Sequence, residues 1–401
     1  MDFYGYMRPN GKAGARNYVL LLPVNRSLNF IASNVERMTR NTRHFEIPAE
    51  TGRTEVDREV IARTLIGLMN NANVGGIVLL AVKSGAGSAY KNMCAERFEE
   101  EARKTGKPLR IVYLTNVGGS YNMLGETLRL TREVLLEVSD FRRENCPLSA
   151  LTLGVKCGTS DATSGIAGNP CVGAAFDQLI RAGGTAFFSE TTEIIGAEDL
   201  VAKRAVNESV AKKILSAARH WEDKAKATGE DIRKINPIPA NIAAGISSLE
   251  EKSLGAIAKS GTSPIQDVLK YAEMPKGSGL YFVDSWMSSL SLPLCLTACG
   301  ATIMLYQMGG GKIAQHPMMP SINPMVVSPF LYLTGNAVAY SRAPDNFDFD
   351  ASSIMTEGAS IPEMGTKLLE HLSAIASGTM TKMETLNYAE QLELYMEGPV
   401  L

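Results

Sequence analysis

The densest run of polar residues in the chain is KCGTSDATSG at positions 156–165, directly after an apolar run at 151–155. Pro170 follows, and proline suits the first turn of a helix. Ligands of open α/β sheets bind where strands end, so the backbone N–H groups and hydroxyls of this loop can hold a carboxylate or a sulfonate. A loop that only turns the chain is the alternative. The candidate substrate-binding residues here are Lys156, Thr159, Ser160, Ser164 and Asn169.

Two carboxylates form a second cluster after the apolar, β-type run Thr185–Phe188. Ser189 is followed by Glu190 and, three residues on, by Glu193. Carboxylates just past the end of a strand can ligate a metal ion or act as a general base. Alternatively, Glu193 and Glu198 only favour the start of the next helix through its dipole. We interpret Glu190 as functional and Glu198 as a capping residue.

The third cluster is NIAAGISSLEEKSLG at positions 241–255. Ser248 with Glu251 fits a capping box, so part of the pattern is structural. Lys252 lies at the predicted junction of loop and helix. A lysine there can pair with a substrate carboxylate, or stabilise the enediolate that forms when a neighbouring carbon loses a proton. A solvated surface lysine is the alternative.

Two further polar positions follow predicted strands. They are Asp284, and the sequence GGGK at 309–312 with His316 close behind. Neither matches a Walker A loop or a dinucleotide-binding fingerprint, and the glycine-rich segment 84–88 does not match them either. A nucleotide-dependent oxidoreductase therefore has only the α/β pattern in its favour, and we reject a nucleotide role.

Strand and helix patterns alternate along the chain, which predicts parallel crossovers and open sheets. The stretch 73–82 is almost continuously apolar, as is typical of a strand covered on both faces. The sequence thus predicts an α/β fold with open, mostly parallel sheets in two α/β domains, 1–143 and 144–401, the second carrying most of the motifs. The predicted strands are Tyr18–Pro23, 73–82, 109–114, 151–155, Thr185–Phe188, Gly279–Val283, 302–306 and 330–333; the main predicted helices are 28–39, 89–104, 124–137, 194–228 and 361–377.

The composition limits the function classes. With 401 residues, the chain is long enough for two or three domains. A net charge of -2 gives no sign of a nucleic-acid partner. No apolar run approaches the roughly 20 residues of a membrane span, and no signal-peptide pattern opens the chain, so we expect a cytoplasmic protein. Because only four histidines and six scattered cysteines are present, a bound metal would rely on oxygen or sulfur ligands.

Three of these segments, in the same order, resemble the most distinctive motifs of one enzyme family. They are KCGTSDATSGIAGNP at 156–170, GGTAFFSETTEIIGAE at 183–198 and NIAAGISSLEEKSLG at 241–255. The opening GYMRPNG at 5–11, with GARN at 14–17, adds to the match. The chain resembles the large subunit of the altronate/galactarate dehydratase family, and its N-terminal half is more similar to the sulfolactate sulfo-lyase branch.

The resemblance implies a lyase that removes water or sulfite from a small anionic 2-hydroxy acid, such as altronate, galactarate or sulfolactate, and leaves a 2-keto acid. It also implies a divalent metal: iron first, with manganese or magnesium as alternatives. A catalytically altered binding or regulatory homologue of the same fold is the alternative function. On matching positions, the resemblance implies catalytic roles for Lys252, Glu193 and Asp161, metal ligation by Cys157 and Glu190, and substrate contacts by Ser189 and Arg16.

The N-terminal half departs from the dehydratase pattern. Where dehydratases of this family have cysteines after two early strands, this chain has NRS at 25–27 and KSG at 83–85. The sulfo-lyase branch is similar in lacking those cysteines. Arg26, Arg53 and Lys83 would suit a doubly anionic substrate, with placement on the surface as the alternative. The departure indicates either a substrate other than the sugar acids or an altered metal site.

Family members also carry a small β-rich domain of the SAF type, either fused or supplied as a separate subunit. This chain opens directly at the GYMRPNG motif. We therefore expect a small SAF-type partner subunit, an oligomeric enzyme, and little or no activity from this chain alone. Apart from the small anionic hydroxy acid, neither a nucleic acid nor a membrane is expected as a partner.

Overall fold

The computed structural model describes residues 1–83, 90–310, 323–386, 389 and 392–400. The strands are β1 (Asp2–Met7), β2 (Ala13–Gly14), β3 (Tyr18–Pro23), β4 (Thr42–His44), β5 (Val74–Ala81), β6 (Leu109–Tyr113), β7 (Glu144–Pro147), β8 (Thr152–Cys157), β9 (Thr185–Phe188), β10 (Ile265–Leu269), β11 (Gly279–Val283), β12 (Ile303–Met308), β13 (Phe330–Thr334) and β14 (Phe349–Asp350). The α-helices are α1 (Asn29–Met38), α2 (Glu55–Asn70), α3 (Ala95–Lys104), α4 (Leu114–Val117), α5 (Ser120–Ser139), α6 (Asn169–Arg181), α7 (Thr191–Ile194), α8 (Glu198–Ala202), α9 (Glu208–Ala227), α10 (Ile232–Ile235), α11 (Pro239–Ala243), α12 (Leu249–Ile257), α13 (Ser291–Cys299), α14 (Ala337–Arg342), α15 (Ser353–Thr356) and α16 (Ile361–Ala376). Within these ranges no helix is both long and apolar enough to cross a bilayer.

The smaller parallel sheet has four strands in the order β4-β3-β5-β6. Every residue of β5 is buried, as expected for a strand covered on both faces. Successive side chains of β3 point to opposite faces of the sheet. Leu20 and Leu22 pack with α2 and α3, whereas Val19 and Leu21 pack with α1 and α5. Helices therefore cover both faces of this sheet.

The larger sheet is also parallel, with seven strands in the order β10-β11-β9-β8-β12-β13-β14. Helices α6, α9 and α16 pack against one face, and α13 packs against the other. From β8 the chain adds β9 on one side and β12 on the other. Such a reversal opens a crevice at the carboxyl ends of the two central strands, where open α/β sheets bind ligands. The predicted fold class, α/β with open and mostly parallel sheets, is confirmed.

A small antiparallel sheet, β2-β1-β7, joins the first residues to the segment between the two large sheets. Phe3 on β1 is buried in the core of the larger sheet. A segment of the second half of the chain also contacts the first half. The backbone N–H groups of Glu397 and Gly398 donate to the buried carboxylate of Asp57 in α2, at 2.7 and 3.0 Å. Both segments thus cross between the halves of the chain. The predicted domain division, 1–143 and 144–401, falls immediately before β7.

The contact between α2 and α13 yields a prediction about stability. A Cβ on Gly67 would lie 2.8 Å from the carbonyl carbon of Ala298, and closer still to the carbonyl oxygen. Gly67→Ala should therefore push the helices apart and lower the free energy of unfolding by about 1–3 kcal/mol, as measured by urea denaturation. Gly125→Ala is the matched control because nothing lies within 4 Å of a Cβ at this position in α5. That change should stabilise the chain by about 0.5–1 kcal/mol. Equal effects at the two positions would show that the helices do not pack this closely.

Candidate active site

Asp161 connects the loops that leave three neighbouring strands of the larger sheet. Its Oδ1 accepts hydrogen bonds from Thr163 Oγ1 at 2.6 Å and from the backbone N–H of Ser164 at 3.0 Å, both in the loop after β8. Its Oδ2 accepts from the N–H of Gly310 after β12, at 2.7 Å, and from Asn336 Nδ2 after β13, at 2.9 Å. The carboxylate therefore fixes the geometry of the crevice between β8 and β12.

A cavity of 280 Å³ lies beside this loop. Ile166 and Leu254, two exposed apolar side chains, belong to its lining. Asn169 donates through Nδ2 to the carbonyl of Gly255 at 2.9 Å, while its buried Oδ1 has no hydrogen-bond partner among the described residues. A buried acceptor of this kind is satisfied by water or by a ligand. The cavity brings together five predicted site residues, Ser160, Asp161, Ser164, Asn169 and Lys252.

Lys252 is buried in the wall of this cavity, with 7% of its surface exposed. Its ammonium donates to Asn236 Oδ1 at 2.8 Å and to Asn241 Oδ1 at 3.0 Å. Asn241 in turn donates through Nδ2 to the carbonyl of Ser160 at 3.1 Å. The alternative of a solvated surface lysine is therefore wrong. The described residues take two of the three N–H donors of this ammonium, which leaves one for a ligand.

The predicted capping box before Lys252 is confirmed in one of its two bonds. Ser248 Oγ accepts from the N–H of Glu251 at 3.2 Å, at the start of α12. The carboxylate of Glu251, however, accepts from the N–H of Ser247 at 2.7 Å and not from that of Ser248. The backbone turn thus fixes the residue immediately before Lys252.

A buried group of charged side chains lies behind the cavity, around Glu190. Glu190 has left-handed backbone geometry, with φ 74°, and no exposed surface. Its Oε2 accepts from the N–H of Cys157 at 2.8 Å and from the ammonium of Lys259. Lys259 also donates to Glu193 Oε2 at 2.8 Å, and Lys156 Nζ lies 3.6 Å from Glu190 Oε1. Non-glycine residues in this backbone region are often found at functional sites, and the bond to Cys157 joins this group to the end of β8.

Burial and neighbouring charges shift the pKa values of Glu190 and Glu193 in opposite directions. Burial, and then the neighbouring Glu193, raise the pKa of Glu190. Burial alone would also raise the pKa of Glu193, but Lys259 and Lys252 lower it below its ordinary value. Burial likewise raises the pKa of the Cys157 thiol, to about 11, so the sulfur carries its proton at neutral pH.

The described residues do not fit a metal ion held by Cys157 and Glu190. Among them, no three His, Cys, Asp or Glu side chains form a group that could hold a metal ion. The ammonium of Lys259 contacts both carboxylates where a cation would be expected. Cys157 Sγ faces Ser160 Oγ and Gln307 Oε1, each at 3.6 Å. His316 and the lysine of the GGGK segment lie outside the described residues.

Three of the predicted substrate-binding residues have other structural contacts. Ser189 Oγ donates to the carbonyl of Val283 at 2.6 Å. The carbonyl of Thr159 accepts from the N–H of Gly309 at 2.7 Å, which continues the pairing of β8 with β12. Lys156 donates to Tyr306 Oη at 3.2 Å, beside Glu190. Lys156 and Ser189 are buried and support the site from behind its surface, whereas Thr159 is half-buried.

Arg16 is the predicted site residue that the structure places elsewhere. Its guanidinium donates to both carboxylate oxygens of Glu384 at 2.7 Å, and to the carbonyls of Ala15, Ile375 and Thr379 at 2.7–2.9 Å. These bonds use the donors of the guanidinium, and none of the partners belongs to the cavity or to the group around Glu190. The prediction that Arg16 contacts substrate is corrected to a structural role.

The remaining residues singled out in the sequence lie at the edges of this arrangement. Asp284 Oδ1 accepts from Thr191 Oγ1 at 2.7 Å and from Trp221 Nε1 at 2.9 Å, so it anchors the start of α7. Arg26 and Lys83 are exposed, and Arg53 is half-buried. Glu198 accepts from the N–H of Gly196 and pairs with Arg233, in keeping with its interpretation as a capping residue.

The sequence interpretation missed Lys259, Asn236 and Asn336. Lys259 follows the apolar residues 256–258 and lies in a 3₁₀ turn, Ala258–Ser260. A lysine that ends an apolar run is a weak signal of a buried cation, since lysine is seldom fully buried without a partner. Nothing in the sequence near Asn236 or Asn336 distinguishes either asparagine from an ordinary loop residue.

Known proteins share both halves of this sequence. The pattern described as "D-galactarate/Altronate dehydratase, C-terminal" matches residues 148–399, and "D-galactarate dehydratase/Altronate hydrolase, second domain" matches residues 5–139. The (2R)-sulfolactate sulfo-lyase subunit beta of Chromohalobacter salexigens is 32% identical over 394 residues, which cover 97% of this chain and 96% of that subunit.

Two dehydratases match over a smaller share of their own length. The altronate dehydratase of Bacillus subtilis is 29% identical over 409 residues, which cover 100% of this chain and 78% of that enzyme. The galactarate dehydratase (L-threo-forming) of Escherichia coli is 29% identical over 426 residues, which cover 99% of this chain and 77% of that enzyme. The chain belongs to the D-galactarate/altronate dehydratase family of lyases.

Proposed function

We propose that this chain is the large subunit of a lyase that eliminates water or sulfite from a small anionic 2-hydroxy acid. The observation that carries the proposal is the cavity between the loop after β8 and α12. There Lys252 and Asn169, whose buried Oδ1 has no hydrogen-bond partner among the described residues, line the same space. A cation and a lone acceptor together suit the carboxylate and the hydroxyl of a 2-hydroxy acid.

The proposed reaction is a β-elimination. A base removes the proton from C2, the C2–C3 double bond forms, and the bond from C3 to oxygen or sulfur breaks. The leaving group departs as water, once protonated, or as sulfite, and the enol left behind tautomerises to the 2-keto acid. Negative charge develops on the substrate carboxylate as the C2 proton leaves. The free N–H donor of Lys252 is suited to stabilise that charge.

The choice of leaving group belongs to the same proposal. Sulfolactate is the first substrate to test, because the sulfo-lyase subunit aligns with this chain over 96% of its own length. Altronate and galactarate follow from the two dehydratase relatives. Sulfolactate carries two anionic groups, and Lys252 supplies a cation for one of them.

We further propose that the active enzyme contains a second, small subunit of the SAF type and is an oligomer. The name of the Chromohalobacter relative, "subunit beta", supports a second polypeptide in that enzyme. The divalent metal implied by the family resemblance stays a prediction, since the described residues supply no ligand set for it.

The deciding experiment is an anaerobic assay of the chain with a small partner subunit and ferrous iron. Altronate, galactarate and sulfolactate are offered separately, and 2-keto acid and sulfite are measured independently. Keto acid together with sulfite from sulfolactate would establish a sulfo-lyase, whereas keto acid from a sugar acid alone would establish a dehydratase. No product from any substrate would contradict the proposed function. Full activity without the partner would contradict only the proposed subunit.

A further inference from the structure

Lys259 lies at the centre of the buried charged group around Glu190, behind the cavity, and only 1% of its surface is exposed. Its ammonium contacts Glu190 Oε2 and, at 2.8 Å, Glu193 Oε2. We propose that this ammonium is the resident cation of the Glu190–Glu193 pair, so that in this chain the pair does not ligate a divalent metal. Any metal bound by the enzyme must then take its ligands from other residues.

The geometry supports this proposal first. Divalent metals lie about 2.0–2.6 Å from carboxylate oxygens. An ion bridging the two facing oxygens of Glu190 and Glu193 would therefore need the place that Lys259 Nζ occupies. Glu190 Oε2 already accepts a second bond, from the backbone N–H of Cys157 at 2.8 Å. A metal ion that bridged Glu190 Oε2 and Glu193 Oε2 would have to displace the buried side chain of Lys259.

The charge balance supports it independently. Lys156 and Lys259 supply two positive charges, and Glu190 and Glu193 supply two negative ones, all with side chains at most 5% exposed. These four charges balance without a metal, and the nearby Lys252 adds a further positive charge. A divalent ion added to this group would leave an excess of positive charge in a buried site, which is strongly unfavourable.

Lys259 also acts as a positioning residue for the site. Through Glu190 and Glu193 it connects the 3₁₀ turn Ala258–Ser260 to the segment after β9. Glu190 in turn accepts from the last residue of β8, Cys157. The ammonium therefore helps to hold together the two strand ends from which the predicted site residues project.

The first test measures metal binding and does not depend on activity. Wild-type chain and the isosteric variants Glu190→Gln and Glu193→Gln are titrated anaerobically with Mn²⁺ and Fe²⁺, with calorimetry and metal analysis after gel filtration. Both variants should bind the same number of ions as wild type. The loss of one bound ion, or an affinity at least about 10-fold weaker, would contradict the proposal, because loss of a ligand has effects of that size.

The second test removes the resident cation. Lys259→Met leaves two buried carboxylates without their ammonium, so its melting temperature should fall. Mn²⁺ should then raise the melting temperature of K259M by more than it raises that of wild type, since the vacated position can hold an ion. Lys107→Met is the matched control, because the partners of Lys107 within the described part of the chain are backbone carbonyls, those of Met69 and Asn71, both at 2.7 Å. K107M should respond to Mn²⁺ as wild type does. Equal responses of the two variants would contradict the proposal.

If K259M does not fold, crystals of the wild-type chain soaked in Mn²⁺ provide a third test. Anomalous scattering at the manganese edge should give no peak between Glu190 and Glu193. A peak there would overturn the proposal directly. Both results are independent of whether the enzyme releases water or sulfite.

Discussion

Lys252→Met should lower kcat/KM of the assembled lyase by about 100-fold or more, the size of effect seen when a donor to developing negative charge is removed. Lys252 is the cation that lines the cavity, and Asn236 and Asn241 hold its ammonium in place. Methionine keeps the unbranched shape of the side chain and all but its last atom, so the loss should come mainly from the charge. The measurement is steady-state kinetics on the substrate that the assay identifies.

Two matched variants separate this role from a structural one. Lys252→Arg keeps the positive charge and should retain more activity than K252M. Glu250→Gln, at an exposed position of the same helix, should leave kcat/KM unchanged. Binding of the 2-keto acid product, measured by calorimetry, should weaken in K252M because the product keeps the carboxylate. If K252M melts earlier but binds product as wild type does, Lys252 only supports α12.

The location of the candidate site could be predicted from the sequence because apolar runs indicate strands and polar loops follow them. β9 and β11 have the predicted limits, and the loop after β8 supplies Ser160, Asp161 and Ser164 to the cavity. The order of strands could not be predicted, since it depends on pairing between residues far apart in sequence. The crevice between β8 and β12 therefore appears only in the fold.

Individual roles were harder to predict because partners come from distant positions. Arg16 lies in a recognisable motif, but its carboxylate partner, Glu384, is 368 residues away. Lys259 lies 69 and 66 residues from Glu190 and Glu193. A sequence shows that a charge exists, whereas only the fold shows which opposite charge neutralises it. The sequence around Glu190 therefore does not reveal its ammonium partner.

The predicted start of a helix agrees with the structure where a capping residue marks it, and differs from the structure where no such residue is present. The predicted helix at 361–377 is α16, which begins after Ser360, whose side chain accepts from the N–H of Glu363. Among the described residues of the predicted helix at 89–104, the α-helix begins at Ala95, after a 3₁₀ turn, Lys91–Met93. Cys94 makes no side-chain capping bond, so no polar residue marks the start of that helix.

Asp161→Asn should reduce both stability and activity, because Asp161 is the hydrogen-bond hub of the crevice. Its two oxygens accept from the loop after β8, from the N–H of Gly310 and from Asn336. An asparagine keeps one acceptor oxygen but presents an NH₂ group to the other set of donors. Leaving those buried donors unpaired should lower the free energy of unfolding by about 3 kcal/mol. It should also lower kcat about 100-fold, since the loops that position the cavity would shift.

The control for this change is Asp223→Asn, an exposed position on α9, which should alter neither quantity. A second variant, Asn336→Asp, places two carboxylates together and should be at least as damaging as D161N, because like charges repel where a donor met an acceptor. The double variant, Asp161→Asn with Asn336→Asp, restores the pair with donor and acceptor exchanged. It should therefore recover part of the stability that either single variant loses. If the double variant is no more stable than the sum of the two single changes predicts, Asp161 does not act through Asn336, and the link between β8 and β13 must rest on its other hydrogen bonds.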